Sequence, residues 1–268
     1  MGRYLIKRIL VSMLTLFVLA TLCFLLLKVF PGGPFDEEVH MAPQVLASLK
    51  EQYGLDQPLF AQLGLFLKNL TQFDLGKSIL YSGQPVVSVI GKVFPRTLNL
   101  GLSSLFISIL FGFLFGSIGA GLRKPHLISI LHLFFLSAPS LFLGPLLILI
   151  FSLWLGIFPV TVNGTFSSYI LPVVVLSLKP MIGVARLIQN SIAETSLLPW
   201  VITVRSYGIS EERIFFKHIL RNSLLPALTY IGTMGASLLS GSILIEMIFN
   251  VNGVGSLFVE AIMNRDYQ

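Results

Sequence analysis

Apolar residues in this chain fall in long unbroken runs, not in the alternating or one-faced patterns of soluble strands and helices. Five stretches, 9–30, 97–122, 127–155, 167–188 and 224–249, are nearly free of charge, with Lys179 interrupting the middle of the fourth. A helix of about 20 apolar residues crosses about 30 Å of hydrocarbon. The pattern therefore predicts an all-α polytopic membrane protein with five spans. It divides the chain into 1–30 (N-terminus and first span), 31–96 (a long first connection), 97–249 (spans two to five) and 250–268 (a C-terminal segment).

The connections carry the orientation signal. Arg3, Lys7 and Arg8 precede the first span, and basic residues mark the cytoplasmic side. Alternating from there, 31–96 lies outside with five Lys/Arg against six Asp/Glu, and the basic turn 123–126 lies inside. The uncharged loop 156–166 lies outside. Residues 189–222, with Arg205, Arg213, Lys217 and Arg221, lie inside, and 250–268 outside. The first run is longer than a signal-peptide core and lacks a small-residue cleavage site, so it reads as an uncleaved helix. The segment 31–96 contains amphipathic pieces at 42–53 and 62–70 and a turn at 54–59, which predicts a small folded cap.

Composition narrows the class. Charged residues are only 11% of the chain and hydrophobic residues 54%, against about 25% charged in a soluble domain. The formal charge of +6 is dispersed, without the basic stripe of a nucleic-acid binder. Cys23, the only cysteine, lies inside the first run, so no intrachain disulfide exists.

Residues 189–222 are far longer than a bare connection between spans requires. Two helices are predicted there, meeting at Gly208. The first, about 192–207, places Ile192, Leu197, Trp200 and Val204 along an apolar side. Gly208 can take positive φ and end that helix. Ser210 offers an N-cap hydroxyl, and Glu211 and Glu212 suit the first turn of the second helix. An interfacial hairpin and a helix docked into a partner both fit this pattern. In the second case Arg213 and Phe215 face outward into a socket.

The same loop, with Thr203-Val204-Arg205-Ser206-Tyr207-Gly208-Ile209-Ser210-Glu211 and Phe216-Lys217-His218-Ile219-Leu220-Arg221-Asn222-Ser223-Leu224-Leu225-Pro226, resembles that of ABC-importer permeases of the dipeptide/oligopeptide class. So do Tyr4–Arg8, Phe30–Pro34, Tyr53–Leu59, Asp74–Ser78, Pro95–Leu98 and Phe249–Tyr267, in order along nearly the whole chain. The resemblance implies an ABC type I importer permease subunit of the bacterial inner membrane, moving short peptides by alternating access. It implies a second homologous permease, two cytoplasmic ATPase subunits that carry ATP and Mg, and an extracytoplasmic substrate-binding protein. The chain itself would hold no cofactor and catalyse no reaction. By the same resemblance Gly208 is the loop glycine, Ser210–Arg213 begin the coupling helix, and Glu211 and Phe215 belong to the ATPase contact. Where the general family has Glu-Ala-Ala, this chain has Ile202-Thr203-Val204. The family continues past Arg265-Asp266-Tyr267 into a sixth helix, so the five spans here suggest a shortened sequence.

Three polar features inside the runs carry candidate chemistry. Lys179 beside Pro180 sits near midspan, where a charge costs about 2.5–3.5 kcal/mol and faces a cavity or a partner. It either lines the translocation path and attracts a peptide carboxylate, or pairs with a partner permease. Glu246 either closes a gate through a hydrogen bond or reaches interfacial water. Lys28 reads as a snorkelling end residue. The four-residue spacings Gly112-Gly116-Ala120 and Gly232-Ala236-Ser240 allow close helix contact, within the subunit or with the second permease.

Other signals are rejected. Gly76-Lys77-Ser78 imitates the end of a phosphate-binding loop, but Thr71 stands where its first glycine belongs. Asn69-Leu70-Thr71 and Asn163-Gly164-Thr165 match glycosylation triplets that occur by chance. The four histidines show no metal-ligand spacing. Nickel, glutathione or another small solute remains an alternative cargo. A stand-alone secondary carrier would need paired broken helices or repeats, and only the Lys179-Pro180 break is evident. A non-transporting scaffold is the third class.

Overall fold

The computed structural model describes residues 2–29, 56–81, 83–121, 138–264 and 266. Every regular element among them is helical, apart from one isolated bridge between Lys77 and Pro85. The chain divides into two compact units, 1–92 with 259–268, and 93–258.

In the first unit, α1 (Gly2–Val29) is apolar and exposed along its length. A helix apolar all round and largely exposed among the described residues is a lipid-facing or partner-facing span. After Pro58, α2 (Leu59–Thr71) sets Phe66 against Phe24 of α1, with ring centroids 5.4 Å apart. Between α2 and the next helix, Asp266 accepts from the Ser78 hydroxyl and from the backbone N–H groups of Ile79 (3.0 Å) and Leu80 (3.3 Å). The Tyr81 hydroxyl donates to Glu260 at 3.0 Å. Burial first, and then that hydrogen bond, hold the Tyr81 phenol above its ordinary value. The predicted amphipathic piece at 42–53, the first two residues of the turn at 54–59 and the basic turn 123–126 lie outside the described residues.

Helix α3 (Val86–Gly121) begins 11 residues before its apolar run, because Lys92, Pro95 and Arg96 interrupt the hydropathy without breaking the helix. Of the predicted third span, residues 138–155 are described. There α4 (Ser140–Leu147) runs on as a π-helical turn, Ile148–Trp154. Helix α5 (Phe166–Ser196) contains the fourth predicted span and extends eight residues past it. Helices α1, α3 and α5 are each long and apolar enough to cross a membrane.

The second unit is organised around α5. Ser104 and Ser108 of α3 are fully buried, and their hydroxyls meet the carbonyls of Val173 (3.4 Å) and Ser177 (3.1 Å). One and two turns further on, a Cβ at Gly112 would stand 2.8 Å from the Met181 carbonyl oxygen, and one at Gly116 2.7 Å from that of Ala185. Small residues at every fourth position thus let α3 lie backbone-close on α5. The first small-residue repeat therefore packs within the subunit. Val184 and Ile188, which also meet Gly112 and Gly116 of α3, join Ile192 in a buried core with Ala227, Met234 and Leu238.

The fifth predicted span is not one helix. It is α8 (Leu220–Leu239), a break at 240–242, and α9 (Ile243–Ile248). Gly241 takes φ +89, and Ser242 is extended, its side chain accepting from the N–H of Ile245 at 3.5 Å. Hydropathy carries through this break because Ser and Gly interrupt it too briefly to register. A further helix, α10 (Val254–Met263), follows within the segment expected as a C-terminal tail.

Candidate functional site

The 189–222 loop is a braced structure. Its first predicted helix is split. Residues 192–196 finish α5, and α6 (Pro199–Ser206) starts afresh with Pro199 in its first turn and Leu198 extended at ψ 141. A residue before proline is driven out of the helical region, which explains the interruption. Helix α6 ends as expected at Gly208, whose φ of +74 a side chain would strain. The short helix α7 (Glu211–Ile214) begins after Ser210 and continues through a π turn, Phe215–Ile219, into α8.

Two layers hold this bend. Inside, Val201 of α6 and Ile214 of α7 are fully buried in the core that also contains Ile188 and Ile192. Outside, Arg205 grips Glu211 with two hydrogen bonds of 2.8 and 3.1 Å. Ser210 caps through its backbone, its carbonyl accepting from the N–H of Ile214 at 3.0 Å, while its hydroxyl makes no capping bond. Arg213 is exposed. Phe215, expected to face outward, packs half-buried against the core, and its neighbour Phe216 is the exposed aromatic, at 62%. In a regular helix Phe215 lies about 100° and Phe216 about 200° around from the buried Ile214, so Phe215 is the ring nearer the core. Leu197, Ile202 and Tyr207 are also strongly exposed. The bend thus presents apolar side chains outward from a fixed backbone, the arrangement of a docking surface.

A second site lies between α5 and α8. Lys179, Pro180, Tyr230, Thr233, Met234, Ser237 and Leu238 line a cleft of about 350 Å³. The sequence flagged Lys179 and missed its hydroxyl neighbours. Their signal was present as Thr229, Thr233 and Ser237 at four-residue spacing, all exposed on one face of a helix otherwise meant for lipid. The second small-residue repeat, Gly232, Ala236 and Ser240, is exposed beside them.

Glu246 sits in a third setting. It is fully buried. Its Oε1 accepts from the Thr97 hydroxyl at 2.9 Å, and its Oε2 accepts from the N–H groups of Gly255 (2.7 Å) and Ser256 (3.1 Å). Those two N–H groups lie in the first turn of α10, where a negative charge is favoured. Thr97 in turn accepts from the N–H of Val254 at 2.8 Å. A Cβ at Gly253 would come within 2.5 Å of Glu246 Oε2, so the cradle closes only over glycine. Among the described residues no group of His, Cys, Asp and Glu could hold a metal ion.

Comparison with known proteins agrees with this architecture. Residues 108–268 match the family described as binding-protein-dependent transport system inner membrane component, and residues 1–101 match its N-terminal companion. A dipeptide transport system permease protein of Lactococcus lactis subsp. cremoris is 37% identical over 270 residues, covering 100% of this chain and 89% of the relative. An oligopeptide transport system permease protein of Haemophilus influenzae is 35% identical over 272 residues, covering 100% of this chain and 89% of the relative. A dipeptide transport system permease protein of Bacillus subtilis is 37% identical over 270 residues, covering 100% of this chain and 88% of the relative.

Proposed function

The chain belongs to the binding-protein-dependent transport system inner membrane component family, and from that premise we propose that it is the permease subunit of an ATP-driven importer of short peptides. It is a multi-pass membrane protein. The peptide cargo is supported by relatives named as dipeptide and oligopeptide permeases. In this reading the chain pairs with a second permease, two ATPase subunits bind on the cytoplasmic side, and a binding protein delivers cargo on the other. ATP and Mg belong to the ATPases, and this chain moves rather than transforms its cargo.

The observation that carries the reading is the bend at Gly208. Val201 and Ile214 anchor it to the core of α5 and α8, and Arg205–Glu211 fixes its outer edge. A force on Ile202, Tyr207 or Phe216 is therefore delivered to α5 and α8 rather than absorbed by a slack loop. Ser223 of α8 donates to Thr195 of α5 at 3.2 Å, tying the two helices at that end. Movement of the bend then shifts the walls of the Lys179 cleft, which we assign to the translocation path. Glu246 holds the ends of α9 and α10 at the far end of that path. The basic residues Arg3, Lys7 and Arg8 support a cytoplasmic N-terminus in this reading.

The test is assembly and coupling. Tyr207→Asp and Phe216→Asp alter exposed side chains and leave the core intact. Both variants are expected to reach the membrane and to lose co-purification with the ATPase and peptide uptake together. Uptake that persists without the ATPase would instead indicate a self-powered carrier.

A further inference from the structure

Among the described residues Lys179 has no counter-charge, and its ammonium makes no ion pair or hydrogen bond. Neither helix lining the cleft offers an acid close to it. On α5 the only one is Glu194, 15 residues further on and so about 22 Å along the helix. Helix α8 contains no Asp or Glu. Glu246 is already committed to Thr97 and the first turn of α10. A charge near midspan is tolerated where it meets a cavity or a partner, and Lys179 lines a cleft.

The cleft has the chemistry of a carboxylate site. Ser237 is exposed into it, and its hydroxyl makes no hydrogen bond among the described residues, so it is free to donate. The Thr233 hydroxyl is spent on the Tyr230 carbonyl at 2.9 Å, which leaves its oxygen to accept. Pro180, Met234 and Leu238 supply an apolar wall. A volume of about 350 Å³ falls at the small end of ligand pockets, which start near 300 Å³. Lys179 is 13 residues from the start of α5 and 9 from the end of the apolar run at 188, about 20 and about 14 Å along a helix, both longer than a lysine side chain, so a lipid phosphate beyond either end of the run is out of its reach. One flexible ammonium and one hydroxyl bind a carboxylate less firmly than a bidentate arginine does, as a station on a path requires if cargo is to leave again.

We propose that this cleft is a carboxylate-binding station, in which Lys179 and Ser237 hold the free C-terminal carboxylate of a peptide in transit while Pro180, Met234 and Leu238 contact its last side chain. The station rests on the peptide reading above. It places part of the selection for free-acid peptides in the permease itself.

The experiment uses the assembled transporter, with second permease, ATPases and binding protein, in proteoliposomes. Uptake of alanyl-alanine is compared with uptake of its C-terminal amide. The binding protein is the same throughout, so its own preference cancels between variants. Lys179→Met is expected to lower the acid-to-amide uptake ratio on the order of tenfold, because acid uptake falls more than amide uptake. Lys179→Arg keeps most of the preference. Ser237→Ala, which removes one exposed hydroxyl, lowers the ratio by a smaller factor and gives a readout if Lys179→Met fails to reach the membrane. An equal loss of acid and amide uptake in Lys179→Met would mean that the lysine pairs with a neighbouring subunit, and would overturn the station. So would a ratio unchanged in both variants. If the wild type takes up neither compound, the peptide reading itself falls, and the station with it.

Discussion

Glu246 and Lys179 are both ionisable side chains in the apolar part of one unit, and their surroundings are opposite. Glu246 is fully buried, receives three hydrogen bonds, and is enclosed by a backbone that only glycine permits at Gly253. Lys179 is partly buried, has no ion pair or hydrogen bond among the described residues, and faces a cleft where the Ser237 hydroxyl is free to donate. A buried charge whose hydrogen bonds are all made is a structural fastening, because removing it strands several donors at once. A charge left unsatisfied is held for something that arrives and departs. Transport requires both, a shape that survives the cycle and a surface that cargo can use.

The strongest way to break this contrast is to remove the acid. Glu246→Ala leaves the Thr97 hydroxyl and the N–H groups of Gly255 and Ser256 without an acceptor, at about 1–3 kcal/mol each. Loss of at least about 3 kcal/mol is expected, read as a lower unfolding midpoint in detergent. An unchanged midpoint would show that water replaces the carboxylate and that the cradle is no fastening.

Next in size is the seam that carries the unit. Gly112→Leu forces a side chain onto the Met181 carbonyl and Val184, and about 1–3 kcal/mol or more of overpacking is expected. The same assay on Gly232→Leu provides the control. Among the described residues nothing lies within 4 Å of a Cβ there, so isolated subunit stability should be unaffected, and any loss of the permease pair would locate a partner on that face.

The bend sharpens the contrast from the surface. Arg205→Ala removes an exposed ion pair and should cost only about 0.2–1 kcal/mol of stability, yet it frees the edge that transmits force. Near-normal unfolding with reduced ATPase-coupled uptake is the expected pair of results. Smallest of all is the stability effect of Lys179→Met. Lys179 has no ion pair or hydrogen bond among the described residues to lose, and methionine keeps the apolar stem, so the midpoint should stay at or slightly above that of wild type. A fall as large as that of Glu246→Ala would make both charges fastenings and end the distinction.

How much of this was legible beforehand can be read from single residues. Gly208 was visible because a helix stop needs positive φ, and a local rule sufficed. Lys179 was visible because a midspan charge is conspicuous against an apolar run. Phe216 was hidden, since an apolar pair at 215–216 does not say which ring faces outward, and only the packing of Ile214 and Phe215 into the core decides it. The break at 240–242 was hidden for the opposite reason. Ser240, Gly241 and Ser242 are common in membrane helices, and only the need to bring Glu246 under α10 turns them into a hinge.

The sequence by itself determined the membrane setting, the helical class and the place of the long loop. These depend on the free energy of moving apolar side chains out of water, which sums locally along the chain. Tertiary structure alone decided what each polar group is for. Thr97 and Glu246 stand 149 positions apart, as Lys179 and Ser237 stand on different helices. Whether a charge is satisfied depends on which distant donors the packing brings within about 3 Å, and no local pattern encodes that.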